Sequence, residues 1–118
     1  MNNLNINSYE DKLSILNTKI LEFINLLYNI IKDENIKIYK KKIKLALLYD
    51  SNMIYNLCEK YILQYEKDIL NKNDKILIHI EQNVLNNEIK LYEVWDNIDA
   101  ENKKIIWKYL NLFVLLVN

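Results

Sequence analysis

Apolar residues recur at steps of three and four along most of this chain, which is the spacing of one face of an α-helix. Ser8, followed three residues later by Asp11, resembles a helix-capping pair with Asp in place of Glu. The clearest apolar run follows directly and consists of Leu13, Leu16, Ile20, Phe23, Leu27 and Ile30. This pattern predicts a first helix over residues 9–32.

The same spacing predicts three more helices before residue 97. One covers about 35–49, one about 52–71, and one starts near Lys75 and continues to Trp95, with a break or kink at Asn86 and Asn87. Residues 35–49 also fit two alternating strands, one with Ile36 and Ile38 and the other with Ile43, Leu45 and Leu47. We prefer a helix there, since no good hairpin turn separates the two halves.

The stretch from Asp99 to Asn118 opens with a polar turn and then becomes apolar on almost every side. Asp99 is the expected N-cap. Because a helix that is apolar all round needs other elements to cover it, we expect this helix to lie at the centre. Its buried residues should include Ile105, Ile106, Tyr109, Leu112, Phe113 and Leu116. The predicted fold is all-α: residues 1–118 form a single domain, a compact bundle of about five helices.

The composition supports this fold class and limits the partners. The chain has no Gly and no Pro, which disfavours β architectures with many turns and requires Asn or Asp wherever φ is positive. Its net charge is zero, so no overall field attracts nucleic acid or an anionic membrane. We find no signal peptide and no apolar stretch long enough to span a membrane. The protein is therefore expected to be intracellular, in the cytoplasm of a host or producing cell, and not secreted.

Residues that carry chemistry are scarce. Cys58 and His79 are the only cysteine and the only histidine, and no Gly-rich phosphate loop can exist without Gly. A zinc site needs about four ligands, and a di-iron bundle needs Glu-x-x-His twice. A Cys58–His79 pair on neighbouring helices is the one nucleophilic arrangement that the sequence permits. We predict no catalytic residue, no metal and no cofactor, and hence a protein that is not an enzyme.

Four lysines share one side of the predicted helix over 35–49. Such a stripe could contact phosphates, but the chain has no Arg for bidentate contacts. A solvated helix face without a function is the preferred interpretation. A nucleic-acid-binding module is the alternative, and its contacts would be Lys37, Lys40, Lys41 and Lys44.

Apolar surface left over at the C-terminal helix suggests a protein interface. A bundle of this size can cover one apolar helix but is not expected to cover every side of its last two turns. The residues expected at the interface are Trp107, Val114, Leu115 and Val117. We therefore predict a small interaction or structural protein that acts through protein–protein contacts, with a homodimer as the expected assembly. The opposing interpretation is a monomer in which residues 1–7 fold over the patch.

The C-terminal segment carries one resemblance. It combines Trp95, a polar turn and an aromatic-rich apolar end; the matching residues are Asn102, Lys103, Lys104, Ile106, Trp107, Lys108, Tyr109 and Leu110. This segment, about a fifth of the chain, resembles the tail of small uncharacterised helical proteins of nucleocytoplasmic large DNA viruses (giant viruses). The resemblance implies a viral origin and no particular activity.

Overall fold

Two long helices, α1 (Tyr9–Ile31) and α2 (Glu34–Tyr49), form the first layer of this computed structural model, which describes residues 8–118. Ser8 caps α1 as predicted, because its Oγ accepts a hydrogen bond of 3.0 Å from the backbone amide of Asp11. Asp33 caps α2 in the same way through the amide of Asn35. The extent of α2 confirms the helix predicted for residues 35–49, and the strand alternative is wrong.

The predicted third helix consists of shorter pieces. Helix α3 (Met53–Tyr61) leads through a 3₁₀ turn (Leu63–Tyr65) into α4 (Glu66–Leu70). Three of the residues predicted on its apolar face are fully buried despite the interruption, namely Cys58, Ile62 and Ile69.

The predicted fourth helix is broken at the expected place. Helix α5 (Ile76–His79) continues into a π-helical turn (Ile80–Val84), and helix α6 (Leu91–Val94) is followed by a 3₁₀ turn (Trp95–Asn97). Between them, Asn86 and Asn87 both have a positive φ, of 51° and 59°. The chain turns there, and the predicted apolar face stays in the core through Leu77, Ile80, Val84, Leu91 and Trp95.

Helix α7 (Ala100–Val117) packs against α1, α3 and α4. Asp99 is its N-cap, as predicted, and accepts a hydrogen bond of 2.8 Å from the amide of Asn102. Phe113 meets Phe23 of α1 edge to face, with ring centroids 5.5 Å apart. Within residues 8–118, no helix combines the length and the apolar character that crossing a membrane requires.

The buried side of α7 is rotated from the predicted one. Ile106, Phe113 and Leu116 are buried as expected, but Ile105, Tyr109 and Leu112 are only half-buried. The best-covered side instead includes Trp107, Leu110, Val114 and Val117. The uncovered side is a narrow stripe through Lys104, Lys108 and Leu115, at the spacing of one helix face.

The expectation that Asn or Asp would occupy every positive-φ position is wrong at two places. Lys32 and Lys72 adopt φ values of 58° and 55°. Such a conformation costs a non-Gly residue about 1–2 kcal/mol. At Lys32 the turn closes α1, because its amide donates a hydrogen bond of 2.7 Å to the carbonyl of Tyr28. That bond satisfies a carbonyl that a helix end otherwise leaves unpaired.

Candidate functional site: the outer face of helix α2

Large apolar side chains are exposed together on α2. Ile38, Leu45, Leu48 and Tyr49 are 54%, 56%, 82% and 86% exposed. Because a helix turns by about 100° per residue, these four positions share one side, together with Lys41. We call this side the outer face of α2; it is opposite the inner face, which buries Ile36, Tyr39 and Ile43 in the core. Other exposed large apolar residues, such as Tyr9, Leu70, Tyr92 and Leu115, belong to four different elements.

An open groove of ≈ 520 Å³ adjoins the outer face, between α1 and α2. Leu21 of α1 forms one wall, and α2 supplies Lys41, Lys44, Leu45, Leu47 and Leu48. Four leucines from two helices therefore line this α1–α2 groove, with two ammonium groups beside them. A second depression, of ≈ 300 Å³, shares Leu21 and Lys44 with it.

The inner face fixes α2 firmly to the rest of the fold. The hydroxyl of Tyr39 donates a buried hydrogen bond of 3.3 Å to the carbonyl of Val84, in the π-helical turn. Burial, and to a smaller extent the negative charge of Glu88, raises the pKa of Tyr39 to about 12. The outer face is thus presented by a helix whose opposite side is anchored in the core.

The lysines of α2 differ in their surroundings. The ammonium of Lys37 lies 3.7 Å from the carboxylate of Glu34 and 4.7 Å from the ring centre of Tyr28. A hydrogen bond with Tyr28, followed by the charge of Glu34, raises the pKa of Lys37. Lys42 lies 3.8 Å from Glu88, and Lys40 donates to Asn25 over 3.5 Å. By contrast, no ion pair among residues 8–118 involves Lys41 or Lys44.

The four lysines predicted as a nucleic-acid contact therefore do not form a uniform basic stripe. Lys37 and Lys40 have polar partners within the chain. Lys41 and Lys44 lie next to the leucines of the α1–α2 groove. Phosphates are bound by lysine charges, and of these four lysines only Lys37 is in an ion pair among residues 8–118, whereas the partner of Lys40 is the neutral amide of Asn25. The two unpaired lysines adjoin an apolar groove, which is the kind of surface that a protein partner covers.

The predicted interface on α7 is mostly covered within the chain. Trp107, Val114 and Val117 are buried, so the prediction that they lie on an open patch is wrong. The physical reason is that α3 and α4 both pack against α7, and Trp95 meets Trp107 edge to face at 5.6 Å. Only Leu115 is exposed, beside Leu70 of α4. The alternative cover, residues 1–7, lies outside the described residues, and self-association stays a prediction.

The two residues considered for nucleophilic chemistry have different environments. Cys58 is fully buried, and burial raises the pKa of its thiol to about 12, so the thiol stays protonated at neutral pH. His79 is exposed, and its ring stacks on Tyr65 at 4.9 Å. Within the described part of the chain, no three His, Cys, Asp or Glu residues lie together as a metal-binding group.

Sequence reasoning missed the outer face of α2, although its signal is present. Ile38, Leu45 and Leu48 recur at steps of seven and three, which is a second helical stripe opposite that of Ile36, Tyr39 and Ile43. A helix with apolar residues on two faces produces apparent alternation along its sequence. That alternation was the evidence for strands over 35–49, and the structure shows its cause.

No protein-family model, no curated protein and no solved structure matches this chain. The origin that the segment around Trp95 and Trp107 implies stays a prediction.

Proposed function

We propose that this protein is a non-enzymatic binding module that acts through protein–protein contacts, with the outer face of α2 and the α1–α2 groove as its contact surface. One observation carries the proposal: Ile38, Leu45, Leu48 and Tyr49 are exposed on the same side of one helix. Exposed apolar residues that lie together on one side of a helix mark an interaction site, whereas scattered apolar residues need no explanation.

The shape of the surface supports a helical partner. Helices pack by fitting a ridge of side chains into the groove of another helix. The α1–α2 groove offers Leu21, Leu47 and Leu48 to such a ridge. Covering a leucine that is otherwise exposed stabilises a complex by about 1.5–3 kcal/mol before the costs of association. Leu45 and Leu48 should therefore contribute most of the binding free energy.

Site-specific photo-crosslinking tests the proposal. A photoreactive amino acid replaces Tyr49 at the end of the outer face, or Asn83, an exposed polar position on the π-helical turn, in cells that produce the protein. We expect discrete protein adducts from position 49 that are absent from position 83. The same adducts should disappear in the double variant Leu45→Asn/Leu48→Asn and persist in Leu70→Asn/Leu115→Asn, which changes a smaller exposed apolar pair elsewhere.

The protein identified in the adduct is then purified, and its binding is measured by calorimetry. Direct binding that the Leu45→Asn/Leu48→Asn variant loses supports the proposal. Adducts that do not differ between positions 49 and 83, or binding that the double variant retains, would overturn it.

A further inference from the structure

We infer that the occupant of the α1–α2 groove is an acidic amphipathic helix of another protein, with carboxylates placed over Lys41 and Lys44. This inference rests on the proposed function and specifies the chemistry of its partner. It also gives Lys41 and Lys44 a role, whereas the sequence pattern alone favours a solvated stripe without one.

The charged side chains that α2 supplies around the groove are all positive. Between Asn35 and Tyr49, α2 has five lysines and no Asp or Glu. Lys37 and Lys42 are paired with carboxylates, but Lys41 and Lys44 line the groove without an acidic neighbour in any ion pair of residues 8–118. The groove therefore presents two positive charges that the described chain does not neutralise.

Nearby carboxylates are already engaged. Glu22, which lines the adjoining depression with Lys44, lies 3.1 Å from Lys19 and accepts a hydrogen bond of 3.3 Å from Tyr109. Glu34 lies near Lys37 and accepts a hydrogen bond from Tyr28. Carboxylates that pair with Lys41 and Lys44 would then come from the partner.

Charge also argues against a second copy of this chain in the groove. Two outer faces of α2 would bring two sets of lysines together, and like charges in one interface are unfavourable. The one acidic residue of α2, Glu34, sits at its N-terminal end and already pairs with Lys37. A helix with leucines on one side and Asp or Glu beside them satisfies both the apolar and the basic parts of the surface.

Three synthetic peptides test the inference on the full chain. Each is an amphipathic helix as long as α2 with the same leucine face, and the flanking residues are Glu, Gln or Lys. Binding is measured by fluorescence anisotropy. Two ion pairs at a partly exposed rim should make the Glu peptide bind about tenfold tighter than the Lys peptide, with the Gln peptide between them. The double variant Lys41→Glu/Lys44→Glu should reverse this order, and added salt should reduce the difference.

Two further variants serve as controls. Leu45→Asn/Leu48→Asn should lose binding of all three peptides, while Leu70→Asn/Leu115→Asn should retain it; circular dichroism checks that each variant is folded. Equal binding of the three peptides, or an unchanged order in the Lys41→Glu/Lys44→Glu variant, would overturn the acidic partner and leave the proposed function standing.

Other occupants of the α1–α2 groove would give different experimental results. Sedimentation that shows a dimer dissociated by Leu45→Asn/Leu48→Asn, with no peptide bound, identifies a second copy and overturns the inference alone. Binding to phosphatidylserine vesicles in the absence of peptide binding identifies a membrane surface and overturns both proposals. A monomer that binds neither peptides nor vesicles overturns the inference, and the crosslinking experiment then decides the proposed function.

Discussion

The hydroxyl of Tyr39 and the carbonyl of Val84 lie 3.3 Å apart in the core, although 45 residues separate them in the sequence. Tyr39 belongs to α2, and Val84 ends the π-helical turn. This hydrogen bond joins the helix that carries the proposed contact surface to the second half of the chain. It also gives a polar partner to a tyrosine that is only 7% exposed.

Replacement of Tyr39 by Phe should lower the free energy of unfolding by about 1 kcal/mol. The ring still fills the same space, so the loss reports the hydrogen bond and the unpaired carbonyl of Val84. Urea denaturation followed by circular dichroism measures the change. Tyr92→Phe is the matched control, because Tyr92 is exposed and no hydrogen bond of its hydroxyl is found among residues 8–118. Equal effects of the two substitutions would contradict the assigned bond.

Stability should also fall as the pH rises above about 9. Burial raises the pKa of Cys58 from 9.0 and that of Tyr39 from 10.0, in each case to about 12. Both groups are neutral when protonated, so the unfolded chain loses these protons at a lower pH than the folded chain. The unfolded state is then favoured increasingly between the ordinary and the raised pKa values.

Denaturation curves recorded from pH 8 to pH 11 test whether the stability falls as the pH rises. The Tyr39→Phe variant should show a shallower decline above pH 10, because one of the two groups no longer titrates. The wild-type protein and this variant should decline in parallel below pH 10, because the ordinary pKa of Tyr39 is 10.0 and this residue contributes little there. A stability that rises with pH over this range would contradict the burial of both groups.

Much of the fold could be predicted from the sequence, because local signals and packing agree in the longest helices. The apolar spacing predicts α1, and the capping residues Ser8 and Asp99 mark where α1 and α7 begin. The break at Asn86 and Asn87 could be anticipated because Asn adopts a positive φ more readily than most residues. Lys32 and Lys72 carry no such signal, so their turns depend on contacts that only the folded chain provides.

The apolar stripe of the candidate site is present in the sequence, but its exposure could not be predicted, since exposure depends on which helix covers which. Val114 and Val117 are as apolar as Leu45 and Leu48, and nothing local distinguishes the two pairs. The first pair is buried because α4 packs on α7, whereas nothing in residues 8–118 covers the second. Tertiary packing therefore determines which of these two apolar pairs is exposed.

Adjacent positions on α7 provide a direct test of that packing. Val114→Asp places a carboxylate in the core and should destabilise the protein by more than about 3 kcal/mol. Leu115→Asp, one residue later on the exposed stripe, should change stability by less than about 0.5 kcal/mol. Thermal and urea denaturation of both variants supply the measurement. Similar losses in the two variants would mean that α7 is covered on all sides or on none.

The outer face of α2 should bind a fluorescent dye that reports exposed apolar surface, such as bis-ANS, even in the fully folded protein. The reason is that Leu45, Leu48 and the adjoining groove leucines form one continuous apolar surface, next to lysines that attract the sulfonates of the dye. The Leu45→Asn/Leu48→Asn variant should lose most of the emission. Because both side chains are exposed, its free energy of unfolding should stay within about 0.5 kcal/mol per substitution of the wild-type value.

Dye emission and the free energy of unfolding together distinguish the loss of exposed apolar surface from damage to the core. A destabilised protein usually binds more dye, since partial unfolding exposes its interior. A loss of emission with unchanged stability can therefore come only from the removed surface. Leu70→Asn/Leu115→Asn is the comparison: it removes two exposed leucines on α4 and α7 and should leave most of the emission. If it instead removes the larger share, then the principal apolar surface lies at α7, where the sequence first placed it, and not on α2.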